Sequence, residues 1–241
     1  MKRKIGIVPA ADIGDAKKSC MEDFYKIGNN YTKRVLDAGC VPIGLAPVDN
    51  LVCEEALDMC DGFLVQGGAE FYPYHFQVIH HAVTHGKKYL GICLGEQLIY
   101  VYFKLCEIVE QRGYEGDVVK AICDYLAEQG QGFTLQRRVT GHRKPFPKRG
   151  CEAEAKHTVR IVPDTLLHRV LGRESMQICS FHDLNTPPEQ TLVRINAWSA
   201  DGVVEGAEYS DNILGVQGHP EADGMLPELF KFLCDNQSAI S

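Results

Sequence analysis

One cysteine lies in a segment that is typical of an exposed catalytic nucleophile. Gly91-Ile92-Cys93-Leu94-Gly95 follows a short apolar run and has the Gly-x-nucleophile-x-Gly form of a sharp strand-to-helix turn. A side chain at either glycine would collide with the neighbouring strand or helix. The turn places the thiol beside the first turn of a helix, where free N–H groups and the helix dipole favour a thiolate. The pattern predicts that Cys93 is a nucleophile, and a buried cysteine in a tight turn is the alternative.

A thiolate nucleophile needs an imidazole base and a carboxylate that orients the base, and both must come from elsewhere in the chain. His219 and Glu221 are the best candidates because they flank Pro220 just after an apolar run that ends at Val216. Proline keeps this segment extended, and an extended backbone points residues i and i+2 to the same side. Glu221 can then hydrogen-bond one ring nitrogen while the other nitrogen faces the sulfur. The spacing predicts a triad of Cys93, His219 and Glu221.

These two motifs resemble those of the class I glutamine amidotransferases, which combine Gly-x-Cys-x-Gly-x-Gln with a late His-Pro-Glu. Three further segments resemble the Gly-rich oxyanion strand end, the Ser-x-His segment and the Asp-Gly-x-x-Glu strand of that family: Gln66-Gly67-Gly68, Ser180-Phe181-His182 and Asp201-Gly202-Val203-Val204-Glu205. The last two, with His157 and residues 163–167, are most similar to the γ-glutamyl hydrolase branch, peptidase C26, typified by γ-glutamyl-γ-aminobutyrate hydrolase.

The resemblance implies hydrolysis of a γ-glutamyl amide through a thioester on Cys93, with no metal or organic cofactor. His219 would protonate the leaving amine and then activate water, while Glu221 holds the imidazole ring. Backbone N–H groups of Gly68 and Leu94 would stabilise the oxyanion. The groups implied to bind the glutamyl end are Gln97 and the backbone of Ser180, Phe181 and His182. The substrate would be a small γ-glutamyl amine or glutamine itself.

Several positions depart from the family pattern and leave the substrate open. Leu94 is typical of synthetase-linked amidotransferases, whereas the hydrolase branch more often has Arg, and Gly218 replaces an aromatic residue before the base. Asp183 stands where Gln or His is more familiar, and Ala69-Glu70 replaces a Gly-Asp or similar pair. One alternative is therefore a glutaminase subunit that delivers ammonia to a separate synthetase partner. The other is a non-catalytic binding protein on the same scaffold.

Alternating strand and helix patterns in the first half of the chain must position these residues. Short β-branched runs and helical spacing predict strands at 4–8, 41–45, 62–66 and 89–93, and helices at 22–38, 54–60, 76–85 and 94–105. After a helix at 118–128, strands are predicted at 158–162, 176–179, 192–197, 203–208 and 213–216, before a last helix at 225–234.

Strands joined by helices imply parallel pairing through right-handed crossovers. The prediction is therefore an α/β fold in one domain over residues 1–241, with a doubly wound, mostly parallel sheet and additional antiparallel strands. The resemblance implies the flavodoxin-like fold of the class I glutamine amidotransferases.

Composition restricts the classes of function. The chain has 241 residues, of which 45% are hydrophobic and 24% charged, and its net charge of −7 provides no dominant basic field for nucleic acid. No apolar run approaches the roughly 20 residues of a membrane helix, so we expect a cytoplasmic protein without a membrane partner. The ten cysteines form no Cys-x-x-Cys pair, which favours mostly buried, inert thiols in a reducing compartment. A homodimer is left open.

Two further groups of residues are interpreted as surface features. His81 and His85 are four apart on a predicted helix, a spacing that can bind metal, but no Glu accompanies them and a solvated face is favoured. The basic stretch 137–149 is interpreted as a solvated loop that could border the mouth of the active site and attract an acidic substrate. His142 and His157 could join that rim.

Overall fold

The structure is a computed structural model that describes residues 1–12, 24–130, 132–144 and 152–235. The strands, numbered in chain order, are β1 (Lys4–Val8), β2 (Ala10–Asp12), β3 (Phe24–Lys26), β4 (Val41–Gly44), β5 (Gly62–Val65), β6 (Lys88–Ile92), β7 (Arg137–Arg138), β8 (Lys156–Ile161), β9 (Ser175–Cys179), β10 (Leu184–Asn185), β11 (Arg194–Ser199), β12 (Val204–Tyr209) and β13 (Ile213–Val216). The α-helices are α1 (Asn29–Asp37), α2 (Glu54–Met59), α3 (Pro73–Thr84), α4 (Leu94–Gln111), α5 (Val118–Gln129), α6 (Leu166–Leu171) and α7 (Pro227–Cys234).

Nine of these strands form one sheet in the order β4-β1-β5-β6-β13-β12-β11-β8-β9. The five strands from β4 to β13 pair in parallel, and the remaining strands extend the sheet through antiparallel pairs. This confirms the predicted doubly wound α/β fold with additional antiparallel strands. Because parallel strands end at the same edge, the residues that follow β5, β6 and β13 are brought together there.

Helices cover both faces of the sheet. Phe63 and Val65 of β5 pack in one core with α3, α4 and α5, whereas Leu64 packs in a second core with α1, α6 and α7. This alternation follows from the two-residue period of a strand that is buried on both faces. The edge that carries the candidate site therefore rests on a sheet held rigidly between two packed layers.

Several elements differ from the sequence prediction, among them the start of α1, the helix α6 and the short strands β7 and β10. The helix predicted from residue 22 begins at Asn29, because residues 24–26 pair with residues 10–12 as the antiparallel strands β3 and β2; residues 22 and 23 lie outside the described part of the chain. Helix α6 was not predicted, although Thr165 caps its first turn by accepting from His168 N at 3.1 Å and Gly172 ends it in the left-handed conformation. Six residues are too few for a clear helical period.

The cysteines also depart from expectation. Cys40 and Cys234 form a disulfide between the residue before β4 and the end of α7. Of the cysteines outside that disulfide, Cys53 is exposed and Cys106 and Cys123 are half-buried, so inert burial applies only to Cys60 and Cys179. Cys93 is buried as well, but it is the predicted nucleophile. Cys20 and Cys151 lie outside the described residues. No helix in the described ranges has both the length and the apolar composition needed to cross a bilayer.

Candidate active site

Cys93 occupies a sharp turn between β6 and α4. Its backbone has φ 55° and ψ −106°, a conformation that residues with a side chain rarely adopt. A Cβ at Gly91 would overlap the carbonyl oxygen of Gly95, and one at Gly95 would overlap that of Val65 on β5. These are the collisions expected from the sequence, and they explain why the chain needs both glycines. The turn brings Cys93, which is 7% exposed, to the carboxyl edge of the parallel strands.

A cavity of about 680 Å³ opens at this edge, a size that suits a small molecule. Its lining comes from the start of α1, the segment after β5, the Cys93 turn, Arg143, residues 181–184 and the segment after β13. Within the cavity, the sulfur of Cys93 lies 4.0 Å from the carbonyl oxygen of Phe181. Cys93, His219 and Glu221 all line the cavity, so the three residues of the predicted triad share one cleft.

His219 and Glu221 adopt the arrangement that the His-Pro-Glu spacing predicts. Nδ1 of His219 lies 2.7 Å from Oε1 of Glu221, and the N–H of His219 donates to the carbonyl of Cys179 at 2.8 Å. A Cβ at Gly67 would come within 2.9 Å of Cε1 of His219 and 3.4 Å of Cβ of Cys93, so the imidazole and the cysteine approach the same glycine. Since Glu221 engages Nδ1, the buried Nε2 is the nitrogen available to the sulfur.

The charge of this site favours a protonated imidazole. Burial by itself lowers the pKa of His219, but the negative charges of Glu221 and Cys93 outweigh burial and raise the pKa well above its ordinary value of 6.5. An imidazolium beside the sulfur stabilises a thiolate by the same Coulomb interaction. The arrangement therefore places a positive charge beside the sulfur of Cys93.

Tyr31 is a site residue that the sequence reasoning missed, because it lies inside the helix predicted at 22–38 and belongs to none of the motifs. Its hydroxyl accepts a hydrogen bond from the N–H of Gly67 at 3.2 Å and lies beside Glu221. Burial, together with the charge of Glu221, raises the pKa of Tyr31 well above 10. A buried tyrosine needs a partner for its hydroxyl. In the sequence, only this requirement and the position of Tyr31 near the start of a helix could have indicated that it belongs to the site.

Gly68 and Leu94, the residues expected to donate to the oxyanion, are neighbours in the structure. A Cβ at Gly68 would come within 2.9 Å of Cδ2 of Leu94, and both residues line the cavity. Leu94 is the first residue of α4, and the first N–H groups of a helix have no acceptor within the helix. The assignment of these two N–H groups to an oxyanion stays a prediction.

Gln97 lines the cavity, but its amide is largely engaged by the protein. Its Nε2 donates to the carbonyl of Leu184 at 2.7 Å and contacts the side chain of Gln217, while its Oε1 accepts from Gln136. This network joins α4 to the wall formed by residues 181–184. Gln97 therefore fixes the cavity wall in addition to any contact with a ligand.

The predicted Ser180–His182 segment divides into two parts. Phe181 and His182 line the cavity, but Ser180 does not. Ser180 is 1% exposed, its hydroxyl donates to the carbonyl of His142 at 2.7 Å, and its own N–H donates to the carbonyl of Ala155 at 2.9 Å. We therefore correct the expectation for Ser180: its polar groups hold neighbouring segments together and do not reach the cavity.

Two surface interpretations are also wrong. His142 and His157 do not lie on the cavity rim but face Glu205, which is completely buried. His81 is 4% exposed, whereas His85, whose ring centroid lies 4.1 Å from that of His81, is exposed, so the expected solvated face is wrong for His81 only.

The basic stretch reaches the cavity through one of its members. Arg143 lines the cavity, forms an ion pair with Asp183 and lies over the ring of Phe181 at 4.7 Å. Arg137 and Arg138 are exposed in strand β7, which pairs with β10. Lys148 and Arg149 lie outside the described residues.

Comparisons with known proteins relate this fold and site to a class. The glutaminase domain of Trypanosoma brucei CTPS with bound acivicin is similar with a TM-score of 0.61 and 15% identity, over 96% of this chain and 92% of that one. A glutamine amidotransferase from Thermotoga maritima has a TM-score of 0.53 and 14% identity, over 92% and 77%. These likenesses show the class I glutamine amidotransferase-like fold.

Sequence matches are more specific than the fold. The family described as Peptidase C26 matches residues 4–86 and 74–221. Protein NtpR of Enterococcus hirae is 39% identical over 204 residues, which span 79% of each chain. The chain belongs to the peptidase C26 family. It is thus a hydrolase of the glutamine amidotransferase-like class.

Proposed function

We propose that this protein is a cysteine hydrolase that cleaves γ-glutamyl amides through a thioester on Cys93. The observation that supports the proposal most strongly is the shared cavity in which a strained cysteine, an imidazole and a carboxylate meet. The strained backbone conformation at residue 93 costs about 1–3 kcal/mol. A protein without catalytic activity would gain nothing from keeping this conformation. This cost argues against the non-catalytic alternative.

In the first half of the reaction, the thiolate of Cys93 attacks the γ-carbonyl carbon and a C–S bond forms. The carbonyl oxygen takes the negative charge and accepts hydrogen bonds from the N–H groups of Gly68 and Leu94. Losing one such donor typically costs about 100- to 1000-fold in rate. The C–N bond then breaks as Nε2–H of His219 protonates the leaving amine, and Glu221 holds the ring in the tautomer that this transfer requires.

In the second half, water attacks the thioester carbonyl carbon while Nε2 of His219, now neutral, takes its proton. The C–S bond breaks, glutamate leaves and the thiolate of Cys93 returns. The same imidazole is acid in one half and base in the other, as microscopic reversibility requires.

The polar end of the substrate needs two charged partners, because a γ-glutamyl group carries an α-ammonium and an α-carboxylate. Arg143 and Asp183 line the same cavity and already pair with each other. In the proposed complex, Arg143 binds the carboxylate and Asp183 binds the ammonium. Binding therefore replaces the ion pair between Arg143 and Asp183 by two ion pairs with the substrate. A γ-glutamyl group with a free α-ammonium and a free α-carboxylate should bind better than a peptide that lacks either charge.

A screen of γ-glutamyl amides, glutamine included, tests the proposal, with the released amine identified by mass. We expect the purified chain alone to hydrolyse at least one of them and Cys93→Ala to be inactive. Glutamine hydrolysis that begins only after a synthetase is added would instead select the glutaminase-subunit alternative. Failure of every γ-glutamyl compound to react or bind would revive the non-catalytic alternative.

A further inference from the structure

Behind the cavity wall, three imidazoles surround one buried carboxylate. Oε1 of Glu205 lies 2.9 Å from Nδ1 of His142, 3.4 Å from Nε2 of His157 and 3.6 Å from Nε2 of His182. The carboxylate is fully buried, and the side chains of His142 and His182 are 4% and 1% exposed. We call these four residues the His-Glu cluster. The reaction proposed above makes no use of it.

None of these three short distances belongs to a hydrogen bond of normal geometry. The three imidazole nitrogens and both oxygens of Glu205 are buried and have no hydrogen-bond partner in the described part of the chain. Leaving a buried polar atom without a partner is destabilising, so such groups are rare in folded proteins. Five such atoms in one cluster, three nitrogens and two oxygens, indicate a bound group that can interact with several lone pairs at once.

The opposite ring nitrogens specify the direction of these lone pairs. Nε2 of His142 lies 3.0 Å from Oδ2 of Asp201, and Nδ1 of His182 lies 3.1 Å from the carbonyl oxygen of Leu184. Both oxygens are acceptors, so the ring nitrogens beside them carry the protons. A neutral ring then directs the lone pair of its other nitrogen towards Glu205, so either a second ring proton or a metal cation must lie between them. A histidine that donates its second N–H to a carboxylate or carbonyl is typical of a metal ligand.

We propose that the His-Glu cluster binds one Zn²⁺ ion through His142, His157 and Glu205, with the imidazole of His182 next to the same carboxylate. The ligand atoms of these three residues lie within 4.8 Å of one another. A tetrahedral zinc site with bonds of about 2.0–2.2 Å has ligand atoms about 3.3–3.6 Å apart. The distances of 2.9, 3.4 and 3.6 Å to Glu205 are close to that spacing. The proposal contradicts the metal-free chain expected from the sequence.

None of these three ligand residues lines the cavity, so the ion would have a structural role. His142 precedes Arg143, and His182 lies between Phe181 and Asp183, all of which line the cavity. The cluster therefore ties two segments of the cavity wall to Glu205 on β12. These histidines are positioning residues for that wall, and the zinc does not contact the reacting atoms.

Metal analysis of the folded protein tests this assignment. The chain is stripped with a chelator, dialysed against Zn²⁺ and measured by elemental analysis and calorimetric titration. We expect about one Zn²⁺ per chain, higher thermal stability with Zn²⁺ than without, and binding weakened by about 100-fold or more in His157→Gln and Glu205→Gln. His168→Gln, on α6 and outside the cluster, is the matched control and should bind as the wild type does.

The outcomes separate the rival explanations. Folded wild-type chain that binds no Zn²⁺ would overturn the proposal and leave a buried network of imidazolium and carboxylate charges. Equal binding by wild type, His157→Gln and His168→Gln would also overturn it, since the ion would then lie elsewhere. If the cluster variants fail to fold, two measurements on the wild type still test the proposal: the number of Zn²⁺ ions bound per chain, and the visible spectrum of the Co²⁺-loaded protein, which reports the ligands of the ion. Cys93→Ala should bind Zn²⁺ normally, so this test is independent of the proposed hydrolysis.

Discussion

The hydroxyl of Tyr31 connects parts of the site that are distant in the sequence. It accepts from the N–H of Gly67 and lies beside Glu221. In Tyr31→Phe both interactions are lost, and one lost hydrogen bond in a buried site is worth about 1–1.5 kcal/mol. We expect kcat/KM for the best γ-glutamyl amide to fall about tenfold, measured by steady-state kinetics. The control Tyr114→Phe, at an exposed position, should have the kcat/KM of the wild type. An unchanged kcat/KM in Tyr31→Phe would contradict the proposed role of the Tyr31 hydroxyl.

Glu96, beside Gln97 in the first turn of α4, is a second residue with an unusual environment. It is fully buried, and Oγ1 of Thr186 donates to its Oε1 at 3.0 Å. Burial raises the pKa of Glu96 from 4.5 to about 8. The folded chain therefore retains a proton that the unfolded chain loses. The stability from this group is fully present below about pH 4.5 and is lost as the pH rises to about 8.

Replacing Glu96 by glutamine should remove this dependence, because glutamine keeps the shape and is neutral in both states. Between pH 5 and pH 8, we expect the free energy of unfolding to fall less steeply with pH in Glu96→Gln than in the wild type. The two slopes should differ by up to about 1.4 kcal/mol per pH unit. Urea denaturation at several pH values measures these slopes. Glu110→Gln, exposed on the same helix, should retain the wild-type slope, and parallel curves for wild type and Glu96→Gln would refute the argument.

The strand-to-helix turn is the element on which the proposed catalysis depends most. Gly95→Ala would drive a Cβ into the carbonyl of Val65, so α4 must move away from β5. We expect a loss of several kcal/mol in the free energy of unfolding together with loss of hydrolysis. Cys93→Ala keeps both glycines and should lose hydrolysis with little change in stability. Denaturant unfolding of the two variants checks this, and a Gly95→Ala protein as stable as Cys93→Ala would contradict it.

Local patterns predicted the elements that carry the triad, because the Gly-x-Cys-x-Gly turn and the His-Pro-Glu segment fix their geometry within a few residues. The same reasoning failed where distant segments decide the structure. Strand β3 replaced part of a predicted helix because residues 24–26 find a partner in residues 10–12. The position of His157 opposite Glu205 depends on the order of β8, β11 and β12 in the sheet, which no local pattern encodes.

The whole chain supplies every group that the proposed reaction needs. Nucleophile, base, acid and both charged partners of the substrate line one cavity of this single chain. We therefore expect the rate per chain to stay constant on dilution, whether or not the protein forms a homodimer. Initial rates over a wide range of protein concentrations, with the oligomeric state followed by light scattering, measure this. A rate that collapses as an oligomer dissociates would mean that a second chain completes the site.

The formation of an acyl group on Cys93 tests the central claim most directly. The protein is mixed with excess γ-glutamyl amide, quenched in acid during turnover, and examined by intact mass and peptide mapping. We predict one glutamyl group on the peptide that contains Cys93, released by hydroxylamine as a thioester is, and none in Cys93→Ala. Turnover that continues in Cys93→Ala, or an acyl group on a different residue, would contradict the account.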